Sequence, residues 1–493
     1  MDHLASFLLS FPPADGPRSD YDYDFLAREH VKKATKAIQD QISAISDRAT
    51  QFLNLLDPST NSISYVLLVE ALMGPVFDGK STITSDDLVD RILAFLLLFD
   101  AQQMRYAGSS LTNVLNRAIT ASIFPDDTLV DLLADVILRI DPSGTMLTSH
   151  HLSLATVAYR SAYVGKALDV INRPIIYFPG MVGKREQKLL SDMSLPPPSY
   201  ISKDTGLTAS LKPDQVLEYD FLCGSIYCSS RQWENAYKVF ERMVSYPSRD
   251  GGVSKIMAEA YKKWILVGLL LNGRTPTLPS YTAASARKSY EVVGKPYASL
   301  AAHFESLDAV ALKQEAEAQH SLWQDERNLG LVLEVLGAHQ KWQIISLRDV
   351  YAKVSLADLR ERTCSAETGQ PLAADAEVEA LVAGMIESGM LRGHIEKAGG
   401  GGGAPDYLEF LPATEELSEE AFAARMLEAA QRIKALEPVF KATNERLGTH
   451  KEYVKHLIKE QRREKDNAGR DVVMDFDAQV EDEDIMGGIM SGH

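Results

Sequence analysis

The stretch QIISLRDVYAKVSLADLRER, residues 343–362, decides the fold of the C-terminal half of the chain. An apolar pair leads into it, and Ser346 is placed to cap a helix over Leu347–Val354. A second helix is predicted in DAEVEALVAGMIESGML, residues 375–391. Two segments follow in which apolar and polar residues alternate, MLRGHIEK (residues 390–397) and DYLEFLP (residues 406–412). They are predicted to form the two strands of a hairpin. Two helices and a hairpin in this order predict a winged helix.

The second helix of this module lacks the side chains of a DNA-reading element. Such a helix needs Arg, Lys, Asn or Gln on its outer face, whereas residues 375–391 carry Asp375, Glu377, Glu379 and Glu387 and no basic residue. The whole chain has a formal net charge of −17, which repels phosphate backbones and anionic membranes. The two longest apolar runs span only eight residues. We therefore predict a protein partner, with no nucleic acid and no membrane.

Upstream of the winged helix, apolar residues recur at the spacing of an α-helix almost throughout residues 26–335. FLCGSIYCSSRQWENAYKVFERMVSYP, residues 221–247, places Gly224 and Tyr227 on one helix and Ala236 and Phe240 on the next. This spacing is similar to the tetratricopeptide pattern, in which small residues let paired helices approach. LSLATVAYRSAYVGKALDVI, residues 152–171, repeats the spacing. We predict a mostly α fold with a helical-repeat arm.

Three motifs resemble catalytic or ligand-binding sites, but the sequence around each of them does not support that function. GPVFDGKS, residues 74–81, fits a phosphate-binding loop, but no strand precedes it and the helix caps come several residues too late. We interpret it as a turn between helices. Cys223 and Cys228 form a lone pair inside a helix and are predicted to be core thiols. His150 and His151 have no acidic partner at helical spacing. The sequence predicts no catalytic residue, no metal site and no cofactor.

The segment after residue 412 is predicted to form a long helix. Its apolar residues follow steps of four and three, which is typical of a seam between helices. Pro438 lies inside this pattern and is expected to kink the helix or to restart it near residue 437. The string DVVMDFDAQVEDED, residues 471–484, carries seven acidic residues and no basic one, which predicts a disordered tail. The stripe consists of Phe422, Met426, Ala429, Ile433, Leu436, Phe440 and Leu447.

The order of helical repeats, acidic winged helix and long C-terminal helix resembles the PCI family of scaffold subunits. That family occurs in the proteasome lid, the COP-nine signalosome and a translation initiation factor. The strings EAYKKWILVGLLLNGRTPTLPSYT (259–282), NLGLVLEVLGAHQKWQI (328–344) and VEALVAGMIESGML (378–391) are most similar to a signalosome subunit. Two departures are the long turn RERTCSAETGQPLAA, residues 360–374, and the glycine run 399–403. Both are candidates for disorder.

The resemblance implies a non-catalytic scaffold subunit of the complex that removes Nedd8 from cullins. Its implied partners are other signalosome subunits, of PCI and metalloisopeptidase type, and cullin ligases indirectly, in cytoplasm and nucleus. Alternatives are a lid or initiation-factor subunit, or a free-standing helical-repeat adaptor.

The resemblance also implies that winged-helix sheets join edge to edge, for which the strand with Tyr407, Leu408 and Phe410 is the candidate edge. The stripe of the C-terminal helix is the second candidate interface. The predicted domains are N-terminal repeats (1–213), the helical-repeat part of the PCI module (214–335), winged helix (336–412), C-terminal helix (413–467) and a disordered acidic tail (468–493).

Overall fold

The computed structural model describes residues 2–13, 19–179, 189–247, 252–397, 406–411, 419–449 and 451–468. The chain divides into two compact units, Met1–Glu415 and Glu416–His493. The predicted glycine run and the predicted acidic tail from residue 469 onward lie outside the described residues.

The described part of the first unit begins with helices alone. They are α1 (Asp2–Leu8), α2 (Asp20–Asp40), α3 (Ile42–Ser46), α4 (Ala49–Leu55), α5 (Ser62–Phe77), α6 (Ser85–Leu98), α7 (Ala101–Met104), α8 (Gly108–Thr120), α9 (Asp126–Ile140), α10 (Ser149–Ser161), α11 (Ala167–Ile171) and α12 (Pro197–Tyr200).

Further helices and three strands complete the first unit. They are α13 (Pro213–Ser229), α14 (Trp233–Val244), α15 (Lys255–Asn272), α16 (Ala284–Val293), α17 (Lys295–Glu305), α18 (Ala309–Ala318), α19 (His320–Asp325), α20 (Leu329–Leu347), β1 (Lys353–Ser355), α21 (Leu356–Arg362), α22 (Asp375–Glu387), β2 (Gly393–Glu396) and β3 (Tyr407–Phe410). The second unit contains α23 (Glu419–Thr449) and α24 (Lys451–Ala468).

The predicted mostly α fold with a helical-repeat arm is confirmed. Neighbouring helices such as α9 and α10, α13 and α14, and α14 and α15 pack against each other. One apolar core runs from Leu4 to Tyr290 along the arm, and a second one runs from Ile265 to Ala366. Burial of such continuous cores by stacked helices is what stabilises repeat architectures.

The contact between α13 and α14 depends on a missing side chain. Gly224 on α13 faces the ring of Phe240 on α14, and a Cβ on this glycine would lie 2.6 Å from Cε1 of that ring. Tyr227, Ala236 and Phe240 are all buried in the same seam. The small residue therefore lets the two helices approach, as the repeat spacing predicts.

The winged-helix module has a core of its own. Its buried members come from the end of α20, from the helices α21 and α22, and from the strands. The three strands form one antiparallel sheet in the order β1-β3-β2. The core residues are Ile344, Val354, Leu356, Leu359, Val378, Val382, Met385, Leu391, Leu408 and Phe410.

The predicted helix over Leu347–Val354 is wrong. Ser346 lies near the end of α20, where its hydroxyl donates to the carbonyl of Gln343 at 2.7 Å. The helix cap is Ser355, whose Oγ accepts from the amide of Asp358 at 3.0 Å. Val354 pairs with Leu408 in the sheet and is buried. A β-branched residue followed by a Ser-x-x-Asp cap is the signal for a strand that runs directly into a helix.

The prediction that the DYLEFLP strand is the free sheet edge is also wrong. This strand is β3, which pairs with β1 on one side and β2 on the other. Leu408 has no exposed surface, and Phe410 is 8% exposed. The prediction failed because β1 was read as helix, so that β3 had a single predicted neighbour. Among the described residues, β1 and β2 are the outer strands of this sheet.

The long turn between α21 and α22 has a defined path and is no disordered insertion. Ser365 and Gln370 form a β-bridge, and Ala366 between them is fully buried. The amide of Cys364 donates to Oε1 of Gln343 on α20 at 2.8 Å. These contacts fasten the turn to α20.

In the second unit, one long helix continues past an internal proline. Helix α23 runs from Glu419 to Thr449 and includes Pro438. The expected restart near residue 437 is therefore wrong, and the expected kink stays a prediction. The proline removes one backbone donor, yet the helix continues on both sides of it. The predicted domain boundaries also stay predictions. Helix α20 extends across the predicted boundary between residues 335 and 336.

We expect Gly224→Ala to destabilise the arm. The added methyl group would overlap the Phe240 ring, and such overpacking costs about 1–3 kcal/mol. Gly384→Ala on α22 is the matched control, because nothing lies within 4 Å of its added Cβ. The control should gain up to about 1 kcal/mol from helix propensity. Thermal unfolding followed by circular dichroism separates them, and equal melting temperatures would contradict the tight seam.

Candidate protein–protein interaction site

The outer face of α22 is acidic in the structure. Asp375, Glu377 and Glu387 are exposed, and Glu379 is half-buried. Arg360 lies 3.1 Å from Asp375, and Lys397 lies 2.8 Å from Glu379. These cations come from neighbouring elements and pair with the acidic side chains. The helix thus presents carboxylates where a DNA-reading helix presents donors to base edges.

The segment that fits a phosphate-binding loop is a turn between two helices. Gly74 still belongs to α5, Gly79 has a left-handed φ of 69°, and α6 begins only at Ser85. Thr84 caps that helix by accepting from the amide of Asp87 at 3.1 Å. The amides after Gly79-Lys80-Ser81 therefore do not open a helix. The sequence interpretation of this segment is confirmed.

Among the candidate nucleophiles and bases of the arm, Cys223, His150 and His151 are buried and Cys228 is half-buried. Burial raises the pKa of the Cys228 thiol to about 12 and raises that of Cys223 further. Burial also lowers the pKa of His150 to about 4 and that of His151 to about 3, so both rings are neutral at pH 7. His151 Nδ1 lies 2.9 Å from the hydroxyl of Thr148 at the start of α10. A neutral, enclosed ring of this kind holds a helix end in place.

One cluster on the sheet offers three possible metal-ligating side chains among the described residues. His394 Nε2 lies 3.5 Å from Glu396 and 3.4 Å from Glu409, on the exposed face. The ammonium group of Lys353 contacts the same Glu396 carboxylate. A cation supplied by the chain therefore already occupies this charged face.

The predicted stripe on α23 is exposed along its length. Its six large members, Phe422 to Leu447, keep between 41% and 73% of their surface. Ala429 is exposed as well. On one helix, residues three and four apart share a face, so the spacing aligns these side chains in one apolar band. Scattered apolar residues on a surface are ordinary, but a band of this length is a candidate interaction site.

The three predicted interface residues of the sheet have different positions. Tyr407 is half-buried, and Lys353 lies over its ring with 5.1 Å to the centroid. Leu408 and Phe410 point into the module's core. The backbone of β3 is occupied on both sides.

The sequence analysis predicted β2 as a strand but missed β1, and so did not identify β2 as an outer strand of the sheet. The register pairs His394 with Glu409, and the carbonyl of Arg392 accepts from the amide of Leu411 at 3.0 Å. Because inward-bonding residues alternate in an antiparallel ladder, Gly393 and Ile395 direct their amides and carbonyls away from β3. The Ser-x-x-Asp cap at Ser355 was the signal that could have revealed β1, and with it the true edges.

None of the described helices combines the length and the apolarity that crossing a bilayer requires.

Comparison with known proteins decides which kind of helical-repeat protein this is. The family model described as COP9 signalosome complex subunit 3, N-terminal helical repeats, matches residues 26–286. The chain belongs to the COP9 signalosome subunit 3 family. It is 42% identical to COP9 signalosome complex subunit 3 of Neurospora crassa over 94% of this chain and 92% of that protein. The family resemblance seen in the sequence is thereby confirmed.

More distant members of the subunit 3 family extend along the same length. The chain is 25% identical to the protein of that name in Emericella nidulans over 88% of this chain and 89% of that protein. It is 24% identical to the one in Arabidopsis thaliana over 87% of this chain and 89% of that protein. The similarity thus extends well beyond the helical repeats that the family model covers.

Proposed function

We propose that this chain is a non-catalytic scaffold subunit of the COP9 signalosome, the complex that removes Nedd8 from cullin subunits of ubiquitin ligases. The exposed apolar band of α23 carries the proposal. The partners are other signalosome subunits of PCI and metalloisopeptidase type, with cullin ligases reached indirectly through them, in cytoplasm and nucleus. The relatives of the subunit 3 family bear the name COP9 signalosome complex subunit 3, which supports membership of that complex.

Two kinds of observation support a role without catalysis. Cys223, His150 and His151 lie in the core of the arm, and burial raises the pKa of the half-buried Cys228 thiol to about 12. The three-residue cluster around His394 already holds Lys353 against Glu396. In the proposal, the isopeptidase chemistry belongs to a different, metal-binding subunit.

The band of α23 contains enough apolar surface to hold a subunit in place. Full burial of a large apolar side chain contributes about 1.5–3 kcal/mol, and several such anchors lie in one row. Since association also costs translational and rotational freedom, only the surplus remains as affinity. In the resembling family, C-terminal helices gather into a shared bundle, and the 4-3 spacing of this row suits that packing.

We expect Ala429→Glu to weaken assembly with the partner subunits. Ala429 lies within the apolar band, and a buried unpaired carboxylate there opposes helix packing. Ala435→Glu on the same helix is the matched control, because Ala435 lies on the opposite face by helical spacing and is also exposed. Native mass spectrometry of tagged endogenous protein measures how much chain is recovered with the cullin-deneddylating set of subunits.

Truncation after Ala413 removes the whole band and should abolish stable incorporation while leaving a soluble, folded protein. Normal stoichiometry for this truncation would reject the bundle and assign the stripe an intramolecular role. Recovery of the intact chain with proteasome-lid or initiation-factor subunits, or alone, would favour one of the alternative assemblies.

A second contact is proposed at the free edge formed by β2. This strand directs the backbone groups of Ile395 outward at a half-buried position; Gly393 has the same orientation but is buried. The opposite edge, β1, has fewer backbone groups available to a partner strand. Ser355 of β1 is the cap of α21, and its carbonyl accepts the first hydrogen bond of that helix. Strand addition pairs exposed backbone groups with those of another chain. We therefore assign the winged-helix contact to β2.

We expect Ile395→Pro to reduce incorporation by about two- to tenfold, because proline removes an outward amide and each lost hydrogen bond costs about 0.5–1.5 kcal/mol. Lys353→Pro is the control, since Lys353 is the outward residue of β1. Pull-down with the neighbouring subunits gives the measurement, and circular dichroism checks that both variants stay folded. Loss of incorporation with Lys353→Pro alone would move the contact to β1.

The purified chain alone should not hydrolyse a Nedd8–cullin conjugate, because a scaffold subunit brings no metal-activated water to the isopeptide bond. Gel analysis of the conjugate over time provides the test, with the whole complex as positive control. Release of Nedd8 by the purified chain, abolished by a chelator, would overturn the non-catalytic role.

A further inference from the structure

A basic groove of about 530 Å³ lies where two helix–helix turns of the first unit meet. One turn joins α13 to α14 and contains Arg231, and the other joins α19 to α20 and contains Arg327. Lys263 on α15 forms part of the floor. A local positive surface is unusual on a chain with a net charge of −17.

The two arginines occupy equivalent places in the same backbone motif. Arg231 and Arg327 have left-handed φ values of 54° and 55°. Each donates its amide to the carbonyl three residues earlier, at 3.1 Å and 3.0 Å. This conformation is costly for a residue with a Cβ. The equivalent turns bring both arginine residues to the lining of the same groove.

Positive charge exceeds negative charge in the groove lining. Its charged residues are Arg231, Lys263, Arg327 and Glu334. Glu334 pairs with Arg231 at 2.6 Å, which leaves two cationic charges over. A phosphoryl group carries a charge of about −1.5 to −2 at pH 7, whereas a carboxylate carries one. Guanidinium groups also match the geometry of phosphate oxygens.

The start of α20 adds backbone donors to the groove. Asn328 precedes this helix, but its side chain does not cap it. Instead, Asn328 Oδ1 accepts from Lys263 Nζ at 2.6 Å, and Nδ2 donates to the hydroxyl of Tyr297 at 2.6 Å. The first amides of a helix lack intrahelical partners, and Gly330 among them has open space where a Cβ would lie. An anion can therefore approach this backbone closely.

Aromatic side chains border the basic centre. Tyr159 is 48% exposed, and Trp233 is half-buried at the start of α14. Side chains of this type hold the residues that flank a charged group in an extended peptide. The groove thus offers a cationic centre and apolar sides.

We propose that this groove binds a phosphorylated serine or threonine in an extended segment of a partner protein. Arg327 pairs with the phosphoryl oxygens, Arg231 exchanges the Glu334 carboxylate for them, and the amides at the start of α20 donate to the same group. Tyr159 and Trp233 contact the neighbouring residues of the peptide. The proposal goes beyond the scaffold role and concerns the chain by itself, so that failure of assembly and failure of peptide binding are independent outcomes.

The test uses purified full-length chain and fluorescent peptides of about a dozen residues, with phosphoserine fixed at the centre and random flanks. Two matched pools carry serine or glutamate at that position. We expect saturable fluorescence anisotropy with the phosphoserine pool only, weakened by salt. The double variant Arg231→Gln/Arg327→Gln should weaken binding at least about tenfold, since two charged hydrogen bonds are lost.

Arg160→Gln is the matched control, because Arg160 is an exposed arginine paired with Asp126 at 2.7 Å outside the groove. It should bind like the unchanged chain, and circular dichroism should show all variants folded. Equal binding of the glutamate pool, undiminished binding by the double variant, or no binding of any pool would overturn the proposal. Inorganic phosphate competing at the same concentration as the peptide would show an adventitious ion only and would also overturn it.

Discussion

The continuity of α20 is the constraint on which the rest of the first unit depends. Its first turns place Val332, Val335 and Leu336 in the second core of the arm, and its last turns place Ile344 in the core of the winged helix. A single α-helix of 19 residues is a stiff rod, about 1.5 Å per residue. The winged-helix module therefore inherits its orientation from the arm through α20, assisted by Ala366 of the turn between α21 and α22, which packs in the second core.

Polar contacts secure both ends of this helix. At its start, the Asn328 side chain links Lys263 to Tyr297, whose hydroxyl donates to Glu326 at 2.5 Å. Near its end, Gln343 accepts from the amide of Cys364 and donates to the carbonyl of Leu307 at 3.2 Å. Buried polar groups are costly unless they are paired. The polar groups named above are paired in this position of α20. Sliding or rotation of the helix would break these hydrogen bonds and is therefore disfavoured.

Periodicity predicted the helices of the arm but not the connections of the sheet. The arm is local in sequence: Gly224 and Phe240 are close along the chain, so their contact is visible as spacing. The sheet is nonlocal, since Val354 pairs with Leu408 more than fifty residues away. A three-residue strand such as β1 has too few residues to show alternation. Its cap at Ser355 was the available signal.

The candidate sites follow the same division. The stripe of α23 was predictable because residues three and four positions apart lie on the same face of a helix. The edge at β2 was not, because an edge is defined by the neighbours a strand lacks. The basic groove could not be predicted either, since Arg231, Lys263 and Arg327 come from separate helix pairs. Only the folded repeat brings them together.

The two proposed assembly contacts differ in physical character, and this difference assigns them separate tasks. An apolar band gains free energy in proportion to the area it buries and tolerates small shifts along its axis. A strand edge gains only about 0.5–1.5 kcal/mol per hydrogen bond, but its donors and acceptors alternate at fixed spacing. A slip of one residue at β2 would turn the side chains of the added strand to the other face. In the proposed assembly, the band of α23 would therefore supply most of the affinity, while the edge at Ile395 would set the register of the neighbouring strand.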